Sequence, residues 1–173
     1  YAEEIIGRLP KSCWLMSVSE WALPIERGGI RSAVGEYALS AVGPGPRALA
    51  HWRYAKQAGL KTVAKIQVNA SWEMAVVPAV PVLELVAQHA ENLTSEATDG
   101  VILSWSLGGY PSTNLELFQS FRPGQQQETC LRQLAEKHYG KQAAPLVCRA
   151  WHLFSEAFKE FPYNGGTLYS GLQ

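Results

Sequence analysis

The chain has 173 residues, with 15 Lys plus Arg balancing 15 Asp plus Glu. A net charge of zero gives no electrostatic ground for a nucleic-acid or anionic-membrane partner. Hydrophobic residues at 47% and charged residues at 17% describe a globular chain rather than a disordered one, long enough for one domain with its own core.

No apolar run approaches the ~20 residues that span a bilayer, so a soluble protein is expected. The sequence begins with Tyr1 rather than Met, which fits a mature or truncated product. A secreted or periplasmic location is expected if a signal lies upstream. Cys13, Cys130 and Cys148 are odd in number and lack metal-site spacing, so they read as free thiols in apolar surroundings.

Residues 1–8 read as the end of a helix, closed by Pro10. Residues 12–19, SCWLMSVS, form a short apolar run of the kind found in a buried strand. That run ends at Glu20-Trp21. The following segment, 22–45, is too long for a simple connector, and its apolar and aromatic content favours an ordered loop. Pro46 suits the first position of a helix over 46–58, which Gly59 ends.

The segment Lys61 to Met74, KTVAKIQVNASWEM, organises this reading. Ala64, Ile66 and Val68 alternate with Val63, Lys65, Gln67 and Asn69, giving one apolar face and one polar face. A strand over 61–69 follows, with Trp72 and Glu73 beyond its end. The alternative is an edge strand with a solvated face. Helix-period spacing of Val82, Leu85, Val86, His89, Ala90 and Leu93 predicts a helix over 81–97. Asp99-Gly100 turns into a third strand over 101–107, broken by Gly108-Gly109-Tyr110-Pro111. Beyond it, helices are expected at 114–121, 126–139 and 142–160, then a loop-like tail.

Strands alternating with helices imply parallel pairing through right-handed crossovers. The three strands are expected side by side in chain order, with helices 46–58 and 81–97 on one side. No linker divides the chain, so residues 1–113 form βα units and 114–173 form C-terminal helices and tail within a single domain.

The strand ends SEW, NASWE and SWSLGGYP, with the C-terminal FSEAFKEFPYNGGTLYSG, resemble the last βα units of a (β/α)8-barrel glycoside hydrolase of bacterial type. The resemblance covers most of the chain, although each motif alone is weakly specific. It implies a partial TIM-like barrel, three strands of eight, in a fragment of a larger protein. Its partners would be a carbohydrate substrate and either the missing N-terminal half of the barrel or a second copy. No cofactor and no metal are expected. The resemblance also implies a cis peptide at Trp105–Ser106.

Glu20 and Glu73 are the catalytic candidates because each lies just past a strand's C-terminal end, where parallel α/β folds place their sites. Neighbouring strands are ~4.8 Å apart, which lets two such carboxyls act as an acid pair. Ion-paired or surface carboxylates are the alternative. Trp21, Trp72, Trp105 and Tyr110 could stack on a sugar ring or simply fill the core. Lys65, Gln67 and Asn69 are candidate ligands for sugar hydroxyls, or a satisfied internal polar group.

Ser106 fails the G-x-S-x-G pattern, which argues against an esterase elbow. His51, His89, His138 and His152 fall on helices without metal spacing and read as surface or core residues. Two function classes remain: a glycosidase fragment, and a non-catalytic carbohydrate-binding or self-associating module.

Overall fold

The computed structural model describes residues 1–69, 72–74, 77, 79–104, 111–122 and 124–170, excluding the side chains of 169 and 170. Three parallel strands form its centre: β1 (Trp14–Val18), β4 (Lys61–Ile66) and β5 (Gly100–Leu103), in the order β1-β4-β5. This order and direction agree with the sequence reading; β1 and β4 are shorter than expected, and residues 105–107 of the third expected strand lie outside the described residues. Trp14 pairs with Lys61, Val18 with Lys65, and Lys65 with Ile102.

Partners in a parallel ladder project to the same side. One face therefore carries Leu15, Ser17, Thr62, Ala64 and Ile66, and helices cover it. Helix α2 (Pro46–Gln57) packs on β1 and β4. Its Ala48 and Trp52 share a core with Ala64, Ile66 and the apolar stripe of α3 (Leu83–Ser95). Helices α4 (Thr113–Ser120) and α5 (Gln127–Lys159) close the other flank of α3.

The opposite face is open. Trp14, Met16 and Ile102 lie on it at 53%, 50% and 45% exposure, together with Lys61, Val63 and Lys65. Apolar side chains on a three-stranded face without a cover form a patch that single surface residues do not.

The 22–45 segment differs from the expected irregular loop. It contains an antiparallel hairpin, β2 (Pro24–Arg27) and β3 (Ile30–Ala33). Gly28 and Gly29 form its two-residue turn at φ +55° and +77°, the left-handed backbone such turns require and glycine adopts without strain. The N-terminus forms helix α1 (Ala2–Gly7). The tail also differs from expectation, because residues Gly165–Ser170 form a short helix, α6.

Gly140 breaks α5 at φ 79°, ψ 160°, as the spacing of the predicted helices implies. Ser112 caps α4 by accepting the Leu115 N–H at 3.2 Å, which satisfies one of the orphan donors at a helix start. Cys130 is buried, whereas Cys13 and Cys148 are partly exposed. Cys13 precedes β1 rather than lying within it. Among the described residues, no helix is long and apolar enough to cross a membrane.

Candidate functional site

Beyond Val18 and Ile66 the ladder continues as single backbone bonds. Ser19 N–H donates to Lys65 O at 2.8 Å, and Ser104 N–H donates to Ile66 O at 2.7 Å. These bonds hold the C-terminal ends of the three strands together, and the sequence-predicted acids sit at that end. Glu20 follows β1 directly. Glu73 lies in a single 3-10 turn, Trp72–Met74, after β4.

Glu20 has no exposed surface, and neither carboxyl oxygen makes a hydrogen bond of normal geometry among the described residues. Burial holds its carboxyl well above the usual carboxylate range. The backbone N–H groups of Glu20 and Gln67 act in the opposite direction, while the charge of Glu73 pushes it further up.

Glu73 is buried in a different setting. Its Oε1 accepts the Ser40 N–H at 2.9 Å and its Oε2 accepts the Leu39 N–H at 3.2 Å. Two backbone donors aimed at one carboxyl complement negative charge. They also tie the end of the 22–45 segment to the turn after β4. The two acids thus occupy contrasting environments on adjacent strand ends, the pattern by which acid and base roles separate.

Two residues that sequence reasoning left outside the site join Glu20. His89 is buried, with Nε2 2.7 Å from Ser19 Oγ and Nδ1 3.5 Å from Glu20 Oε1. Burial drives its imidazole down to about 3, so the ring is neutral at ordinary pH. The available signal was its place on the apolar stripe of α3, where a histidine faces the core. Its partners come from β1, 70 residues away, and no local pattern discloses them.

Backbone packs tightly over this group. Gly45 N–H donates to Ser19 O at 2.7 Å, and Asn92 Nδ2 donates to Gly43 O at 2.8 Å.

The other sequence candidates divide. Lys65 Nζ lies 4.8 Å from the Tyr37 ring, and Tyr37 lies 6.4 Å from Trp72, which joins the open face of β4 to the 3-10 turn. Gln67 and Asn69 fall past the end of β4 and are buried rather than facing solvent. The Asn69 N–H donates to Ser104 Oγ at 3.0 Å, and its Oδ1 accepts from Ser112 Oγ. Gln67 Oε1 has no hydrogen bond among the described residues. Ser104 holds φ 66°, a left-handed backbone uncommon for a non-glycine residue and concentrated at functional strand ends.

Trp21 packs against α2 instead. The Arg47 guanidinium sits 4.5 Å over its ring, and His51 meets it edge-on at 6.1 Å. Trp105, Ser106 and Tyr110, and with them the expected cis peptide, lie outside the described residues.

A cavity of about 260 Å³ opens beside the 3-10 turn, lined by Trp72, Glu36, Tyr163 and Asn164 among others. Tyr163 Oη accepts the Glu36 N–H at 3.3 Å. Burial, and after it the carboxyls of Glu73, Glu20 and Glu36, push its phenol up to about 12 against the effect of that N–H. Tyr163 belongs to the C-terminal tail, which sequence reasoning left outside the site.

Away from this end, Glu84, His152 and Glu156 present ligand atoms within 4.8 Å of one another on the surface of α3 and α5. His152 pairs with Glu84 at 2.9 Å, and Glu156 pairs with Lys159 at 2.5 Å.

Comparison with protein families, curated proteins and solved structures finds no match.

Proposed function

We propose that this chain is the C-terminal part of a (β/α)8-barrel glycoside hydrolase-like protein, supplying three of its eight strands. Glu20 is the proton donor to the leaving oxygen, and Glu73 is its carboxylate partner. The observation that carries this reading is the contrast between the two acids. On adjacent parallel strand ends, one carboxyl is held well above the usual carboxylate range by burial and the other is cradled by two N–H donors. A proton donor must hold its proton near neutral pH, and its partner must not compete for it.

The open apolar face supports the barrel reading. In a closed barrel Trp14, Met16 and Ile102 point inward, where side chains from the missing strands would cover them. The cavity beside the 3-10 turn, lined by neither Glu20 nor Glu73, supplies the Trp72 ring, the Glu36 carboxyl and the Tyr163 phenol, the mixture that receives a sugar ring.

Hydrolysis of a panel of aryl glycosides by the full-length protein tests the assignment. Glu20→Gln and Glu73→Gln should each forfeit ~10²–10⁴-fold in rate while binding of an unreactive sugar persists. Trp72→Ala should weaken binding instead. Full turnover in both Glu variants would overturn the acid pair.

The enclosure of Glu20 favours a second reading, a non-catalytic carbohydrate-binding or self-associating module. Wild-type protein that binds oligosaccharides and hydrolyses none would establish it.

A further inference from the structure

We infer that His89 is the positioning residue for Glu20: its Nδ1–H is directed at Glu20 Oε1, and the Ser19 hydroxyl selects that tautomer by donating to Nε2. This inference rests on the glycosidase reading for its kinetic consequence, but its geometric content stands apart from it.

The polarity follows from the carboxylate that Glu20 becomes on giving up its proton. A neutral imidazole has one N–H and one lone pair. Ser19 Oγ at 2.7 Å and Glu20 Oε1 at 3.5 Å lie on opposite ring nitrogens. While Glu20 keeps its proton its O–H can donate to an Nδ1 lone pair, but once that proton leaves only an Nδ1–H offers the carboxylate a donor on that side. Glu20 lacks a hydrogen bond of normal geometry among the described residues, so the Nδ1–H tautomer is the one that would stabilise the carboxylate left when its proton goes.

The backbone at Gly43 packs directly against the Ser19–His89 pair. An added Cβ at Gly43 would lie 2.9 Å from His89 Nε2 and 2.9 Å from Ser19 Oγ, so the backbone there closes on both partners. Glu73, after β4, also acts on Glu20, whereas Tyr163, on the C-terminal segment, is itself acted on by the Glu20 carboxyl. The negative charge of Glu73 opposes loss of the Glu20 proton, whereas the Tyr163 phenol, pushed up to about 12, is neutral at ordinary pH. His89 is the neutral donor that favours the anion left behind. The proton passes from Glu20 to the leaving oxygen, and the Nδ1–H bond shortens onto the new carboxylate without itself transferring a proton.

Nitrogen-15 NMR of the histidine rings in the full-length protein reads the tautomer directly. The expected result is Nδ1–H with an unprotonated Nε2 at neutral pH, and its loss in Ser19→Ala. An Nε2–H ring in the wild type would overturn the inference.

Two substitutions at His89 then separate positioning from packing. His89→Asn keeps an N–H near the Nδ1 position, whereas His89→Leu fills the space without a donor. With the donor gone, Glu20 should hold its proton more tightly. The alkaline limb of kcat/KM should therefore move up by about one pH unit in His89→Leu, with kcat reduced about ten-fold or more. His89→Asn should return the limb toward the wild-type position. Identical limbs in the two variants would overturn the inference. A wild-type protein without hydrolytic activity would overturn the glycosidase reading instead, and the tautomer measurement would still decide the role of His89.

Discussion

Glu73 accepts the backbone N–H of Ser40 at 2.9 Å across 33 residues of chain, and that of Leu39 beside it. A side chain assigned to chemistry therefore also anchors the segment that follows the β2–β3 hairpin. Glu73→Ala should leave two buried N–H groups without acceptors and destabilise the fold by roughly 2–5 kcal/mol. Glu73→Gln keeps one acceptor oxygen and should lose about half as much. Chemical denaturation of the two variants checks this, and only the Gln variant is suitable for reading activity.

Gly45 lies against backbone rather than side chain. A Cβ there would stand 2.3 Å from Trp21 O and 2.8 Å from Glu20 O, whereas at Gly43 the nearest atoms are side-chain ends at 2.9 Å. Side-chain ends can shift by a rotamer adjustment; two strand-end carbonyls cannot. Gly45→Ala should therefore lower Tm more than Gly43→Ala, with overpacking on the order of 1–3 kcal/mol for the former. Gly43→Ala should chiefly disturb the Ser19–His89 hydrogen bond. Thermal melts, together with the histidine NMR signal, distinguish the two effects.

The buried imidazole gives a signed acid sensitivity. Native His89 is held down to about 3, below its ordinary 6.5. As pH falls below 6.5 the unfolded chain takes up a proton that the native chain refuses, so stability is lost progressively toward pH 3. The full span corresponds to on the order of 5 kcal/mol.

Glu20 acts in the opposite sense. Its native value lies above the ordinary 4.5, so its contribution is complete at low pH and is lost as pH rises from 4.5 through the native value. His89→Asn should flatten the acid side of a plot of stability against pH, and Glu20→Gln the other side. Urea titrations across pH 3–8 measure both, and an unchanged acid slope in His89→Asn would contradict the first.

Met16 and Ile102 share the uncovered face of the sheet with Trp14. Among the described residues the outer edges of β1 and β5 have no strand partner, and such edges beside an apolar face promote association. The 173-residue chain expressed alone should sediment as more than a monomer, and Met16→Lys with Ile102→Glu should shift it toward monomer. In a full-length protein whose remaining strands cover this face, the same pair of changes should destabilise folding instead. A monomeric wild-type chain with this face open would count against the barrel reading.

The sequence by itself determined the periodic parts of this protein. Alternation in KTVAKI placed β4 and its buried Ala64 and Ile66, and the 3.6-residue stripe placed α3. Strand–helix alternation implied the parallel order β1-β4-β5. These are local signals, because side-chain period and crossover handedness act within one unit of chain.

The hairpin in 22–45 was missed because only four residues form each strand, too short for a period to be read. The arrangement around Glu20 was decided by tertiary structure. Ser19 meets His89 across 70 residues, Glu73 meets Ser40 across 33, and Tyr163 meets Glu36 across 127. Each of these contacts depends on how the strand ends, the hairpin segment and the tail pack, and none leaves a spacing in the chain. Gln67 and Asn69 are buried past the end of β4, and alternation along the chain did not disclose what covers them. Beyond Ile66 the chain leaves the regular strand and is held by single backbone bonds, which the period of two does not disclose.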